Sequence, residues 1–276
     1  MKIAIKNKIY TLPKGTYSER ATKKFLNFLD GDFEINYCNS IYDVFESVDN
    51  GGFGVVPIEN SIEGSVSLTQ DLLLQFKGVN ILGELAMDIH HNLIGYDKNK
   101  IETIISHPQA LAQCRNYIKK HGWKVKAVES TSEAVKLVAT SSNEKLGAIG
   151  SKDSAEQFGL KILEENIEDY KNNKTRFILI GKSIPHFKSC SNKYKVSIVF
   201  ELKEDKPGAL YHILKEFAER KINLTRIESR PSKKRLGTYI FYIDFEDPGK
   251  NLKETLCSLK EQTTFIYVLG RYPVLL

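Results

Sequence analysis

The stretch Ile167-Glu168-Asp169-Tyr170-Lys171-Asn172-Asn173-Lys174-Thr175-Arg176-Phe177 runs without a break into Ile178-Leu179-Ile180-Gly181. Its first part is polar and rich in turn formers. Its second part is short, apolar and β-branched, which predicts a buried strand. A hydroxyl, a guanidinium and an aromatic ring therefore stand together where a loop enters a sheet. Binding sites of α/β proteins concentrate at such places, because the strand holds the backbone rigid. Taken alone, the segment is equally a strand start with one surface arginine.

On the N-terminal side, strand and helix patterns alternate. Strands are predicted over 2–10 and near 33–38, 53–57, 79–86, 103–106, 123–128 and 146–150. Helices fit 17–29, 41–49, 67–76, 109–121, 132–142 and 152–158. In the first helix Ala21, Phe25, Phe28 and Leu29 share one face, and Thr16-Tyr17-Ser18-Glu19 is a capping box. The alternation predicts an α/β unit over 1–181 with a largely parallel or mixed sheet. The polar segment 182–193 reads as a linker. Beyond it, over 194–276, the pattern changes. Val196, Ile198, Phe200 and Leu202 alternate with polar neighbours, and Leu210, Ile213, Leu214, Phe217 and Ala218 follow helical spacing. Strands near 222–230 and 236–246, a helix carrying Leu252, Leu256 and Leu259, and a strand at 264–272 complete a βαββαβ, ferredoxin-like order.

The 276 residues suffice for two domains, and 41% hydrophobic with 27% charged content is ordinary for a globular chain. The net charge of +6 is spread out, with short basic runs such as Lys119-Lys120 and Lys233-Lys234-Arg235. No basic block with interleaved aromatics points to nucleic acid, whereas a modest positive excess suits a small anionic substrate. The N-terminus lacks a signal-peptide pattern and no apolar run is long enough for a membrane span. Cys38, Cys114, Cys190 and Cys257 are far apart without a Cys-x-x-Cys, so neither a metal site nor a disulfide framework is indicated. These features predict a reduced, cytoplasmic protein.

Three further segments are dense in polar groups near turns. Pro13-Lys14-Gly15-Thr16-Tyr17-Ser18 opens the first helix, where free N–H groups can meet an anion; simple capping by Thr16 explains it equally. Val55-Val56-Pro57-Ile58-Glu59-Asn60-Ser61-Ile62-Glu63-Gly64-Ser65-Val66 is a strand ending in a polar turn. Ser106-His107-Pro108-Gln109-Ala110 starts a helix, with His107 either a cap or a functional group.

In order and spacing, these segments resemble the prephenate dehydratase family. The matching pieces are Pro-x-Gly-Thr-Tyr-Ser-Glu at 13–19, Gly-Val-Val-Pro-Ile-Glu-Asn-Ser-x-Glu-Gly-x-Val at 54–66, Ser-His-Pro-Gln-Ala-Leu at 106–111 and Ile-x-Asp-x-x-x-Asn-x-Thr-Arg-Phe at 167–177. The second domain resembles that family's ACT regulatory domain through Gly208-Ala209-Leu210 and Ile227-Glu228-Ser229-Arg230-Pro231. The chain departs from the pattern at Leu12, where the family has glycine, and no upstream chorismate mutase domain is expected.

The resemblance implies a two-lobed, periplasmic-binding-protein-like catalytic domain, with lobe one at 1–77 and 160–181, lobe two at 78–159 and the site in the cleft. It implies dehydration and decarboxylation of prephenate to phenylpyruvate without cofactor or metal, inhibition by phenylalanine, and a homo-oligomer, dimer or tetramer, formed partly through the ACT domains. It marks Thr175 as catalytic. Arg176 would serve the pyruvyl carboxylate or orient its loop, with the ring carboxylate near Phe177. Asn60, Ser61, Asn173 and Thr16 would donate to substrate oxygens, and Glu59 and His107 would be acid–base partners. Gly208, Ala209 and Leu210 with Glu228, Ser229, Arg230 and Pro231 would line the phenylalanine pocket. Two other readings fit the pattern: arogenate dehydratase, and a two-lobed, non-catalytic amino-acid sensor.

Overall fold

The computed structural model describes residues 7–188, 191–204, 206–235 and 237–275. Residues 2–6 of the first expected strand, Cys190, and Leu236 at the start of another expected strand lie outside the described residues.

Lobe one is built from β1 (Asn7–Thr11), α1 (Tyr17–Phe28), β2 (Phe33–Tyr37), α2 (Ile41–Asp49), β3 (Phe53–Asn60), β4 (Gly64–Ser65), α3 (Ser67–Gln75) and β5 (Asn80–Asp88). Local chemistry sets the helix starts. Thr16 accepts from the Glu19 N–H, the Glu19 carboxylate takes the Gly15 N–H at 2.7 Å, and Ser40 and Asp43 form a complete capping box on α2. Lobe two follows with β6 (Asn92–Gly95), β7 (Thr103–Ser106), α4 (Pro108–Gln113), α5 (Arg115–His121), β8 (Lys124–Ala127), α6 (Thr131–Ser141), β9 (Leu146–Gly150), α7 (Lys152–Phe158) and β10 (Lys161–Glu164). The chain then returns to lobe one as β11 (Lys174–Gly181). The C-terminal domain is β12 (Tyr194–Leu202), α8 (Ala209–Glu219), β13 (Leu224–Pro231), β14 (Tyr239–Glu246), α9 (Leu252–Glu261) and β15 (Thr263–Leu275), the βαββαβ order that the sequence predicts.

The lobe boundaries differ from those expected. β5 lies antiparallel to β11 in the first sheet, and β10 lies antiparallel to β6 in the second. The chain therefore crosses between lobes over 89–91 and 165–173, not at 77 and 160. The near-continuous burial of β5 explains its place, since a strand apolar on both faces belongs inside a covered sheet. β6 and β10, four residues each, are too short to display a period and were not foreseen. The helix expected over 109–121 breaks at Cys114, whose backbone leaves helical geometry (φ −114°, ψ 22°).

A ten-stranded sheet runs through both domains in the order β13-β14-β12-β15-β5-β11-β3-β1-β2, with β4 paired to β3; lobe two has its own sheet, β10-β6-β9-β7-β8. β15 makes the join by pairing with β12 and, through Val274 and Leu275, with β5. The two domains also share a core. Val199, Tyr242, Leu269 and Tyr272 pack with Val56, Ile58, Leu72, Ile81, Ile178 and Ile180. Even the linker is pinned: Phe187 bridges to Leu29 and packs into the lobe-one core.

Gly270 sits at this junction, where a Cβ would stand 2.2 Å from the carbonyl oxygen of Ile81. Backbone cannot yield as a flexible side chain does, so overpacking here costs about 1–3 kcal/mol or more. Gly270→Ala is expected to lower the thermal unfolding midpoint by several degrees in a calorimetric scan, whereas Gly122→Ala, with open space around its Cβ position, strains only its own turn.

Candidate active site

Between the lobes lies a cavity of about 480 Å³. Lobe one lines it with Leu12, Tyr17, Ser18, Ile41, Pro57, Asn60, Val66, Ile89, Thr175 and Phe177; lobe two adds His91, His107, Gln109, Ala110, Gln113, Glu129, Ser130 and Thr131. Much of the wall is apolar, and neither lysine nor arginine is among the lining residues. Leu12, the departure from the family pattern, is part of this apolar wall.

The strand period decides what β11 shows to the cavity. Thr175 pairs with Asn60 and Phe177 with Pro57, and all four side chains face the cleft. Arg176 and its neighbour Glu59 face the opposite way. A bulge in β3 at Ile58 lets Glu59 and Ile58 share that far side.

Behind Thr175 runs a chain of side-chain amides whose direction is set at one end by the backbone. The N–H groups of Ile62 and Glu63 both donate to Asn60 Oδ1, at 2.9 and 3.0 Å. Backbone N–H groups only donate, so the amide orientation of Asn60 follows. Its Nδ2 then donates to Asn173 Oδ1 at 2.7 Å and to Thr175 Oγ1 at 2.9 Å. Asn173 Nδ2 donates to Gln113 Oε1 at 2.8 Å, and Gln113 Nε2 donates to Glu63 Oε1 at 3.2 Å. Gln113 Oε1 lies 2.7 Å from His91 Nε2, which must therefore carry the imidazole hydrogen and leaves Nδ1 bare. Burial holds the His91 pKa below its ordinary value, which keeps the ring neutral. Thr175 Oγ1 is thus an acceptor toward Asn60, and among the described residues no acceptor takes its own hydrogen. That hydrogen is available to a group in the cavity.

Several expected site residues are placed elsewhere. Arg176 makes no contribution to the cavity: its guanidinium lies on Glu59 (3.1 Å), Glu84 (2.7 Å) and Asp244 (2.5 Å). Glu59 is its partner there and is not an acid–base group of the cleft. The Thr16 hydroxyl donates to Pro13 O and caps α1, so its donor is already engaged. Ser61 Oγ donates to Asn172 O and accepts from Lys174 N, closing the turn on the 171–174 loop. Asn173 is fully buried within the amide chain and supports the site from behind. His107 lines the cavity while its Nδ1 caps α4 by accepting from Gln109 N at 3.2 Å.

The second set of expected residues divides. Gly208 caps α8 in a left-handed conformation (φ +84°), and Ala209 lines a hollow of about 230 Å³ with Leu202, Lys203 and His212. Leu210 packs against the helix-side core of the C-terminal domain, while Ser229 and Pro231 are exposed. Glu228 and Arg230 point at lobe one instead. Glu228 meets Ser65 and Gln70, and Arg230 meets both Asp71 oxygens at 3.1 Å. Strand alternation is again the cause, since these two residues pair with Tyr242 and Ile240 on the face that joins the shared core.

Gln113, His91, Ser130 and Thr131 are not among the residues that the sequence marks, and Tyr17 stands in the quoted 13–19 turn without a role of its own. The Ser130-Thr131-Ser132-Glu133 cap was legible as a helix start, and Ser130 does accept from Glu133 N. Tyr17 holds both His90 backbone groups, and burial pushes its phenol up to about 12. No local pattern marks Gln113 or His91; Gln113 meets His91 within lobe two and meets Asn173 only across the lobes. Among the described residues no cluster of three or more His, Cys, Asp or Glu side chains is placed to hold a metal ion, and no helix is long and apolar enough to cross a membrane.

Comparison with known proteins bears on what this cavity does. The family model described as prephenate dehydratase matches residues 9–185, and the ACT domain model matches 196–259. A prephenate dehydratase of Methanocaldococcus jannaschii is 80% identical, with 96% of this chain and 97% of that protein covered. Among solved structures, a prephenate dehydratase of Arthrobacter aurescens in complex with L-Phe is 30% identical, with 96% and 89% of the chains covered and a TM-score of 0.82. A protein described as a novel type of quorum quenching acylase is 26% identical, covers 98% of both chains and has a TM-score of 0.82. By its sequence and by its two-lobed fold with an appended ACT domain, the chain belongs to the prephenate dehydratase family.

Proposed function

We propose that the cleft converts prephenate, with one proton taken up from solvent water, to phenylpyruvate, CO₂ and water, with Thr175 as the hydrogen-bond donor to the departing ring hydroxyl. The observation that carries this reading is the direction of the amide chain, which leaves the Thr175 hydrogen with no acceptor among the described residues. A threonine is far too weak an acid to protonate a leaving group by itself, so it acts as a preorganised donor. Aromatisation of the ring drives the reaction. Acyl transfer would instead need a base beside the hydroxyl, and the partner given to Thr175 here is an amide that donates.

With neither lysine nor arginine in the lining, which has Glu129 as its one charged side chain, the substrate's carboxylates meet dipoles in this cleft rather than cations. Tyr17 and Ser18 open α1, Thr131 opens α6, and the first-turn N–H groups of such helices have no intrahelical partner. These two helix starts suit the pyruvyl carboxylate. The ring carboxylate has to leave, and an apolar wall of Leu12, Ile41, Val66, Ile89 and Phe177 does not stabilise it in the ground state.

Phenylalanine is the proposed effector, acting at the ACT domain. The support is the matching ACT model, the relative solved with L-Phe, and the open space about Gly208. In one chain Gly208 and Ala209 face away from Glu228 and Arg230, which suits a pocket completed between two chains. Exposed Tyr211, Tyr239 and Tyr267 suit the same self-association. A cytoplasmic, biosynthetic place fits this chemistry.

Thr175→Ala is expected to lower kcat for phenylpyruvate formation by about 10²–10³, or roughly 2.7–4 kcal/mol, with KM changed little. Asn60→Asp replaces the donor with a carboxylate and takes the Thr175 hydrogen for itself, so it is expected to lose comparable activity. Steady-state assay on prephenate checks both, and wild-type kcat in the Thr175→Ala enzyme overturns the assignment. For regulation, phenylalanine is expected to reduce wild-type turnover. Gly208→Val, strained at its positive φ, should raise the half-inhibiting concentration at least tenfold, about 1.4 kcal/mol of binding. An unchanged response locates the effector elsewhere.

A further inference from the structure

Arg176 stands between two cavity residues, Thr175 and Phe177, and reaches the other way into the boundary with the C-terminal domain. Its side chain is 11% exposed, and its guanidinium holds one carboxylate from each of three strands: Glu59 on β3, Glu84 on β5 and Asp244 on β14. Asp244 is tied in turn to Ser197 Oγ at 2.6 Å and to Arg226 Nη1 at 3.3 Å, and Ser197 Oγ lies 2.7 Å from Tyr272 OH. Lys195 of β12 adds a second cation on Glu84, at 2.5 Å.

A second line from the C-terminal domain reaches the same place. Arg226 Nε donates to Ser65 Oγ at 3.3 Å, and Glu228 also binds Ser65. Ser65 lies on β4, which pairs with Asn60 and Glu59. Asn60 is the residue that donates to Thr175. The C-terminal domain therefore touches the neighbours of both members of the Asn60–Thr175 pair, once through Arg176 and once through Ser65.

Buried ion clusters are weak contributors to net stability, because desolvation offsets their attraction. What a guanidinium fork does supply is geometry, since its donors fix direction as well as distance. Adjacent residues of one strand share a rigid backbone about 3.8 Å long, so displacing Arg176 displaces Thr175. Misplacement of a reacting contact by about 1 Å costs up to about a hundredfold in rate.

We propose that Arg176 is a positioning residue for the dehydration: Asp244 of the C-terminal domain, with Glu84 and Glu59, holds Arg176 and through it sets where the Thr175 hydroxyl meets the leaving group. The regulatory domain is then part of the active site's support even without an effector, and its displacement changes kcat rather than KM. This rests on the reading of Thr175 as the donor.

The test is a double-mutant cycle in the full chain, with prephenate turnover as the readout. Asp244→Asn is expected to lower kcat about tenfold with KM within twofold, and to lower it no further in a Thr175→Ala background. A merely structural role gives the same loss in both backgrounds. That result overturns the proposal, as does a change confined to KM or no loss at all. Should the Asp244→Asn chain not fold, Arg176→Lys, which keeps the charge without the fork, goes through the same cycle with the same expectation. If Thr175→Ala alone keeps full kcat, the donor reading fails, an outcome the first arm of the cycle reports separately.

Discussion

Arg176 carries a positive charge that has left water, and the surrounding structure is arranged to accept it. Burial works against its protonation, yet the Asp244 and Glu84 carboxylates hold its pKa well above the ordinary arginine value. The same contacts govern Asp244: burial disfavours its charge, and Arg176 with Arg226 more than compensates, so its carboxyl titrates below the usual range. Removing one partner from such a cluster strands the others without compensation, a loss of about 3–5 kcal/mol in comparable cases. The three carboxylates come from β3, β5 and β14, so the cluster forms only when lobe one and the C-terminal domain are already joined. The shared core around Tyr242 and Tyr272 and the β15–β5 pairing bring that joining about. Catalytic and regulatory parts are thus one folding problem, not two modules on a tether.

The site itself depends on directionality. Two backbone N–H groups orient Asn60, Asn60 orients Asn173 and Thr175, and the sequence of donors ends on the Glu63 carboxylate. Side-chain amides neither give nor take protons at ordinary pH, so this chain orients and does not relay. Gln113 has a particular place in it. It arrives from α4 of lobe two and bonds Asn173 and Glu63 of lobe one, so the orientation behind Thr175 is complete only with the lobes together. Ser132, Ser151 and Ser154 make a comparable connection, donating to the carbonyls of Lys14 and Gly15 in the first turn.

Much of this is legible in the amino-acid sequence. The α/β alternation, the βαββαβ domain, the α1 cap and the place of Thr175 at a strand start follow from period and turn chemistry. What escaped the sequence has a common cause, which is register. Thr175-Arg176-Phe177 reads as one cluster in a string of letters, but a strand sends its middle member to the opposite face, and Glu59 beside Asn60 is divided in the same way. Glu228 and Arg230 went astray by the same alternation. Gln113 and His91 were invisible for a different reason: 22 residues separate them within lobe two, 60 separate Gln113 from Asn173 across the lobes, and no local spacing encodes contacts so distant in the chain. β6 and β10, with four residues each, carry too little pattern to register at all.

The division of charge across β11 matters to the chemistry. An anionic substrate invites an arginine, and the strand does carry one next to Thr175. Aimed into the cleft, it would bind the ring carboxylate most tightly before the reaction, when the charge is greatest, and would oppose its loss as CO₂. Turned to the far side and surrounded by Glu59, Glu84 and Asp244, its field is compensated locally. The cavity then offers hydroxyls, amide groups and helix starts, which orient an anion without holding it as strongly as a full charge would. The same turn of the strand that takes the charge out of the cleft puts it where it ties β11 to the C-terminal sheet, so the requirement of the decarboxylation and the attachment of the regulatory domain are met by one side chain.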